Sequence, residues 1–260
     1  MPELKKQEIP KVIHYCWFGR NEKSQLLLKC LESWKKYFPD YEIIEWNEDN
    51  FDVNINTYTR EAYQKKKWAF VSDYARLYIV YNNGGIYFDT DVEVVRNFSH
   101  LLNQYGYLAF ENTSNDPNGK TVNTGLGFAA APHDEVIKTL MEDYESLSFI
   151  GKDGEMDLTP CPLRNTNVLK RLGLKTDGSM QRLGNIMVYP FDYFCGMDIA
   201  NSHRYITENT NTIHHYDASW KEKLSLWKRI KYRYIIPCIQ SIIGIRRYDQ
   251  LKKKLFKKKI

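Results

Sequence analysis

Nowhere among these 260 residues does an apolar run reach the ~18 residues that a membrane-crossing helix needs. The N-terminal stretch returns to polar residues before the apolar core of a secretion signal could be complete. Cysteine is sparse and unpatterned. Cys16, Cys30, Cys161, Cys195 and Cys238 form no C-x-x-C pair and no zinc-ligand spacing, which excludes a disulfide framework and a zinc ribbon and reads as free thiols in a reducing compartment. Internal repeats are lacking, as is low-complexity sequence before residue 221. These absences set the expectation of a cytoplasmic chain, peripheral to a membrane at most.

The charge that is present is unevenly spread. Residues 221–260 carry 14 Lys+Arg against 2 Asp+Glu, a net of +12, so the formal +5 of the whole chain leaves −7 on residues 1–220. An acidic body with a basic tail is therefore expected. The 19 tyrosines and 6 tryptophans suit stacking against sugars or bases and equally suit core packing.

The apolar pattern orders the body. "IPKVIHYCWFG" (9–19) reads as a buried strand ending in a loop, "SQLLLKCLESWKKYF" (24–38) as a helix stopped by Pro39, and "YEIIEWN" (41–47) as a second strand. Strand, helix, strand is how a nucleotide-binding α/β sheet begins. Residues 59–83 read as one or two helices closed at Gly84, 105–112 and 125–132 as strands, and 134–147 as an amphipathic helix. From 151 to 212 the pattern weakens into loops and short strands such as 186–194.

"GGIYFDTDVEVV" (84–95) carries the chemistry. On a strand, Asp89 and Asp91 would point to one face, and two negative charges side by side need a reason. A D-x-D of this kind is a polar strand end, the nucleophile and acid of a haloacid-dehalogenase-type phosphohydrolase, or a divalent-cation site holding a diphosphate. The phosphohydrolase would need a downstream acidic "GD", and the chain has none. Sixteen residues before Asp89 stands "SDYAR", where Asp73 and Arg76 share one face of a helix and can orient hydroxyls and phosphate.

Taken together, "IPKVIHYCWFG" and "WAFVSDYARLYIVYNNGGIYFDTDV" resemble the DXD-containing glycosyltransferases of family 32, whose donor site is similar to those of large clostridial toxins and fungal α-1,6-mannosyltransferases. "NTGLGFAAAPHDEVI" (123–137) and "IHHYDASW" (213–220) resemble later family segments, so the likeness spans about residues 9–220. It implies a mixed α/β fold of the GT-A type and a retaining, metal-dependent hexosyltransferase. Asp89 and Asp91 would hold Mn²⁺ or Mg²⁺, with His215 favoured over His214 as a third ligand. Trp17 would stack on the donor base, Asp73 and Arg76 would bind the donor sugar and phosphate, Asn123 would lie near the reacting sugar, and Ser219 and Trp220 would close over the diphosphate. The donor would be a nucleotide sugar, a UDP-hexose favoured over GDP-mannose. The acceptor would be a glycan, lipid-linked, in bacterial capsular polysaccharide synthesis. A toxin-like transferase acting on a protein and a non-catalytic nucleotide-sugar binder are the competing classes.

The expected division is a catalytic domain over 1–220 and a tail over 221–260. Leu, Ile, Trp and Tyr are mixed with the tail's basic residues, and Pro237 and Gly244 break it into short helices. Such a segment reads as a membrane-surface element. Nucleic acid is the lesser reading, since no recognition motif accompanies the charge.

Overall fold

The computed structural model describes residues 8–111, 120–197 and 204–217. Ser219, Trp220 and the basic tail lie outside the described residues.

The N-terminal elements follow the expected order. Strand β1 (Val12–Cys16) leads to helix α1 (Gln25–Tyr37), whose N-cap Ser24 accepts from the Leu27 N–H, and then to β2 (Glu42–Trp46). Leu27, Cys30 and Trp34 recur at helical spacing and form the buried face of α1. Helices α2 (Thr57–Gln64) and α3 (Trp68–Asn83) divide the 59–83 segment between them. Gly84 ends α3 at φ 67, and its Cβ would lie 2.6 Å from a Pro132 ring carbon. Glycine is thus required there both for the left-handed backbone and for the close approach.

Strand β3 (Gly85–Tyr87) stops before the carboxylates, and β4 (Val92–Val94) begins after them. Asp89 and Asp91 therefore sit in a turn, closed by Val92 N–H donating to Asp89 O at 3.1 Å, and not on the strand that alternation suggested. Beyond them come β5 (Gly106–Ala109), β6 (Phe128–Ala130), α4 (Glu135–Glu145), α5 (Cys161–Arg171), β7 (Gln181–Leu183), β8 (Ile186–Tyr189), α6 (Phe191–Phe194) and β9 (Thr212–His214). Helix α5 was not expected from the sequence. Its buried face includes Asn165 and Thr166 beside Val168 and Leu169, so polar residues interrupt the apolar stripe by which a helix is recognised.

The main sheet runs β2-β1-β3-β6-β5-β8-β7. Strands β6 and β7 oppose the other five, which gives a mixed, mostly parallel α/β sheet. Period-2 alternation sorts its side chains onto two faces. Ile13, Tyr15, Ile86, Tyr107 and Ala129 join the core beneath α1, while Tyr87, Leu108, Phe128 and Ala130 join the core beneath α3 and α4. A separate two-stranded ribbon pairs β4 with β9, aligning Val92 with His214. Trp34 Nε1 donates to Val92 O at 2.8 Å and ties that ribbon to α1.

Candidate active site

The sheet reverses direction of growth at β1: β2 lies on one side of it and β3 on the other. In open α/β sheets ligands bind outside the carboxyl ends of strands at such a point. Both groups of candidate residues lie there.

The first group surrounds the β3–β4 turn. Asp89, Asp91 and His214 each offer a ligand atom, and these atoms lie within 4.8 Å of one another. His214 Nε2 stands 3.1 Å from Asp91 Oδ1. The other Asp91 oxygen accepts from the Asp217 N–H at 2.9 Å. Burial pushes the Asp91 carboxyl up, but the charge and hydrogen bond of His214 outweigh it and hold it at about 2. Asp89 is pushed up by burial, and Arg76 offsets only part of this. For His214, burial lowers the pKa, and the neighbouring Asp91 more than reverses that.

The expected third ligand, His215, is a correction. Pairing of β9 with β4 brings His214 to the Asp pair, while His215, one residue beyond the strand, turns its Nε2 onto Glu93 Oε2 at 2.8 Å. Glu93 also accepts from Lys29 Nζ at 2.8 Å.

Helix α3 supplies the counter-charge. Arg76, 3% exposed, places Nη2 at 3.1 Å from Asp73 Oδ1 and 3.1 Å from Asp89 Oδ1. One guanidinium thus joins the S-D-x-x-R and D-x-D motifs, and charge-assisted contacts of this kind are the stronger class. Its Nη1 donates to Thr124 Oγ1 at 3.3 Å, and Tyr87 Oη donates to Asp89 Oδ1 at 3.1 Å. Asp73 is driven up to about 6 by burial, which Arg76 opposes.

Asn123 is oriented from two sides. Its Nδ2 donates to Glu111 Oε2 at 3.0 Å, and its Oδ1 accepts from the Gly125 N–H at 2.7 Å. Gly125 lies against the carboxylates: a Cβ there would meet Asp89 Oδ2 at 2.6 Å. Glu111, Thr124, Gly125, Cys161 and Asn165 were not singled out in the sequence. Asn165 Nδ2 donates to Thr124 Oγ1 at 3.0 Å, and the Cys161 thiol contacts Arg76 Nη1 at 3.7 Å. "NTGLG" offered a signal for Gly125, since a glycine beside a candidate site residue marks a close approach. The others carried no motif.

Trp17 stands apart from this cluster. With Lys23, Glu45 and Glu48 it lines a cavity of about 210 Å³, and none of Asp73, Arg76, Asp89, Asp91 or His214 does so. The cavity lies at the carboxyl ends of β1 and β2, one strand over from the Asp pair.

The donor set fits a divalent cation. Two hard carboxylate oxygens and an imidazole nitrogen are ligands that such an ion takes, and the His214 Nδ1 is buried with no partner among the described residues.

Residues 24–108 match the family described as "Glycosyltransferase sugar-binding region containing DXD motif". Inositol phosphoceramide mannosyltransferase 3 of Schizosaccharomyces pombe is 31% identical over 129 residues, covering 46% of this chain and 33% of that protein. The chain thus spans about a third of the length of that curated relative. Among solved structures, the PaToxG glycosyltransferase aligns with a TM-score of 0.48 at 18% identity, over 64% of this chain and 70% of that one. A glycosyltransferase involved in the glycosylation of the major capsid of PBCV-1 aligns at 0.46 and 11%, over 81% and 95%. Residues 24–108 are thus similar to the DXD-containing sugar-binding region of glycosyltransferases, the likeness that the motifs of this chain also carry.

Proposed function

We propose that this chain transfers a hexose from a nucleotide sugar to a hydroxyl of a glycan acceptor. The observation that carries the reading is the convergence of Asp89, Asp91 and His214, with Arg76 bridging Asp73 and Asp89, beside a Trp17-lined cavity at the sheet's switch point.

In the reaction the bond between the anomeric carbon and the diphosphate oxygen breaks, its electron pair leaving with the nucleoside diphosphate. The acceptor oxygen bonds to that carbon and passes its proton to the departing diphosphate. Asp89, Asp91 and His214 would hold Mn²⁺ or Mg²⁺, which supplies Lewis-acid stabilisation of the departing diphosphate when bound. Asp73, held in place by Arg76, orients donor-sugar hydroxyls. Asn123, fixed by Glu111 and Gly125, presents its amide near the reacting carbon. Trp17 stacks on the base. Retention of configuration, a lipid-linked acceptor, a role in bacterial capsular polysaccharide and contact of the basic tail with the cytoplasmic membrane surface complete the proposal, on the strength of the family resemblance. No helix among the described residues is long and apolar enough to cross a membrane. A UDP-hexose is the favoured donor; GDP-mannose is the second reading, favoured by the relative named as a mannosyltransferase.

The test is nucleoside-diphosphate release from a panel of UDP- and GDP-sugars, with Mn²⁺ and with chelator. Release from one donor that disappears with chelator supports the reading. No release, together with no metal-dependent binding of any donor, overturns it.

A further inference from the structure

The imidazole of His214 lacks one of its expected supports. Its Nε2 faces Asp91 Oδ1 at 3.1 Å, and its Nδ1 is buried with no partner among the described residues. A histidine that ligates a metal gives one ring nitrogen to the ion and as a rule fixes its ring through a hydrogen bond of the other. Once Nε2 turns its lone pair to a cation, the ring hydrogen belongs to Nδ1, where no acceptor stands. Something other than a hydrogen bond must then fix the tilt of the ring.

Tyr216 is placed to do so. Its ring stands 4.1 Å from that of His214 between centroids, at an interplanar angle of 71°, an edge-to-face contact. The far end of Tyr216 is anchored. Its hydroxyl lies 3.2 Å from the Cys195 sulfur, whose own hydrogen goes to Met197 O at 2.9 Å, so the hydroxyl is the donor. Cys195 O in turn accepts from the His214 N–H at 3.0 Å. Cys195 therefore holds the backbone of His214 and the tip of Tyr216 together.

The backbone bends to allow this. Tyr216 has φ 51, in the left-handed region that a bulky residue enters only when its surroundings impose it. In a strand that simply continued, side chains two positions apart would stand roughly 7 Å from one another; with the turn at Tyr216 the two rings meet. The residues on either side of the turn both donate to Asp91: the His215 N–H to its backbone O at 3.0 Å and the Asp217 N–H to Oδ2 at 2.9 Å.

We propose that Tyr216 is a positioning residue for the cation: its ring, pinned to Cys195, fixes the tilt of the His214 imidazole in place of the hydrogen bond that Nδ1 does not make. The inference rests on the cation site of the reading above, and adds to it a residue that acts only through His214.

The experiment titrates Mn²⁺ alone into the full chain, followed by paramagnetic resonance, with no nucleotide sugar present. Tyr216→Phe, which keeps the ring, is expected to bind within about three-fold of the wild type; Tyr216→Gly, which takes the left-handed backbone freely but lacks the ring, is expected to bind about ten-fold more weakly. In a His214→Ala background Tyr216→Gly is expected to change nothing further, because its effect passes through the imidazole. Three results overturn the role of Tyr216 and leave the cation site standing: wild-type binding in Tyr216→Gly, a loss in Tyr216→Phe as large as in Tyr216→Gly, or a loss that persists undiminished beside His214→Ala. Absence of Mn²⁺ binding by the unaltered protein overturns the cation site and the inference together. Should Tyr216→Gly fail to fold, Tyr216→Asn takes its place, since asparagine also tolerates the left-handed region.

Discussion

His214 Nε2 lies 3.1 Å from Asp91 Oδ1, while its neighbour His215 is bonded to Glu93 at 2.8 Å. The two adjacent imidazoles thus have separate duties: one faces the carboxylate pair and the other anchors the segment that follows β9.

That division predicts how three variants differ in Mn²⁺ binding. His214→Ala should weaken binding, followed by the paramagnetic resonance of the ion, by on the order of ten-fold or more, whereas His215→Ala should shift it by much less. Asp91→Asn should abolish metal-dependent turnover with the fold intact. Equal effects of the two histidine variants, or retained turnover in Asp91→Asn, would remove the assignment.

Gly125→Ala should damage activity more than folding. The new methyl would lie 2.6 Å from Asp89 Oδ2 and 2.9 Å from Asn123 Oδ1, so both side chains must move. A misplacement of this size costs roughly 100-fold in rate, while the overpacking costs about 1–3 kcal/mol of stability. Donor hydrolysis assayed beside urea unfolding separates the two; an active enzyme would show that the carboxylate has room.

Arg76→Ala should be among the most damaging substitutions. It leaves Asp73 and Asp89 facing each other without the cation that joins them. Removing one partner of a buried pair costs about 3–5 kcal/mol. Arg76→Lys should not restore function, because a lysine is a point charge and cannot reproduce the planar fork that reaches both carboxylates and Thr124. Urea midpoints for both variants test this, and a lysine variant of full activity would contradict it.

His14 predicts an acid sensitivity away from the carboxylates. Trp46 Nε1 donates to His14 Nδ1 at 3.1 Å, so Nε2 carries the hydrogen and donates to Gly84 O at 3.0 Å. Burial lowers its pKa to about 4, from 6.5 in the open chain. Between these values the unfolded chain binds the proton and the folded one does not. The contribution is therefore full above pH 6.5 and is lost as the pH falls towards 4, about 3 kcal/mol in all. Unfolding midpoints measured from pH 7 to pH 4 should fall more steeply in the wild type than in His14→Asn. Parallel curves would refute the assignment.

Much of the sheet was legible because each early element announces itself locally: Ser24 caps α1, Pro39 follows its end, and Gly84 closes α3. S-D-x-x-R and D-x-D were legible as a unit through the family resemblance, and in the structure one guanidinium spans them. The choice between His214 and His215 was not, since it depends on the register of β9 against β4, and strand register is set by tertiary pairing. Helix α5 escaped because the residues it turns inward serve the site: Cys161 and Asn165 contact Arg76 and Thr124 and spoil the apolar period.

The β4–β9 ribbon also fixes when the site comes into being. Asp91 and Asp217, whose N–H it accepts, are 126 positions apart, and β9 is the last of the described strands. During synthesis the two aspartates leave the ribosome long before their histidine, and closing so long a loop must precede any gain from the contacts it makes. Asp89 and Asp91 therefore meet His214 only once β9 has paired with β4, a contact of long sequence separation.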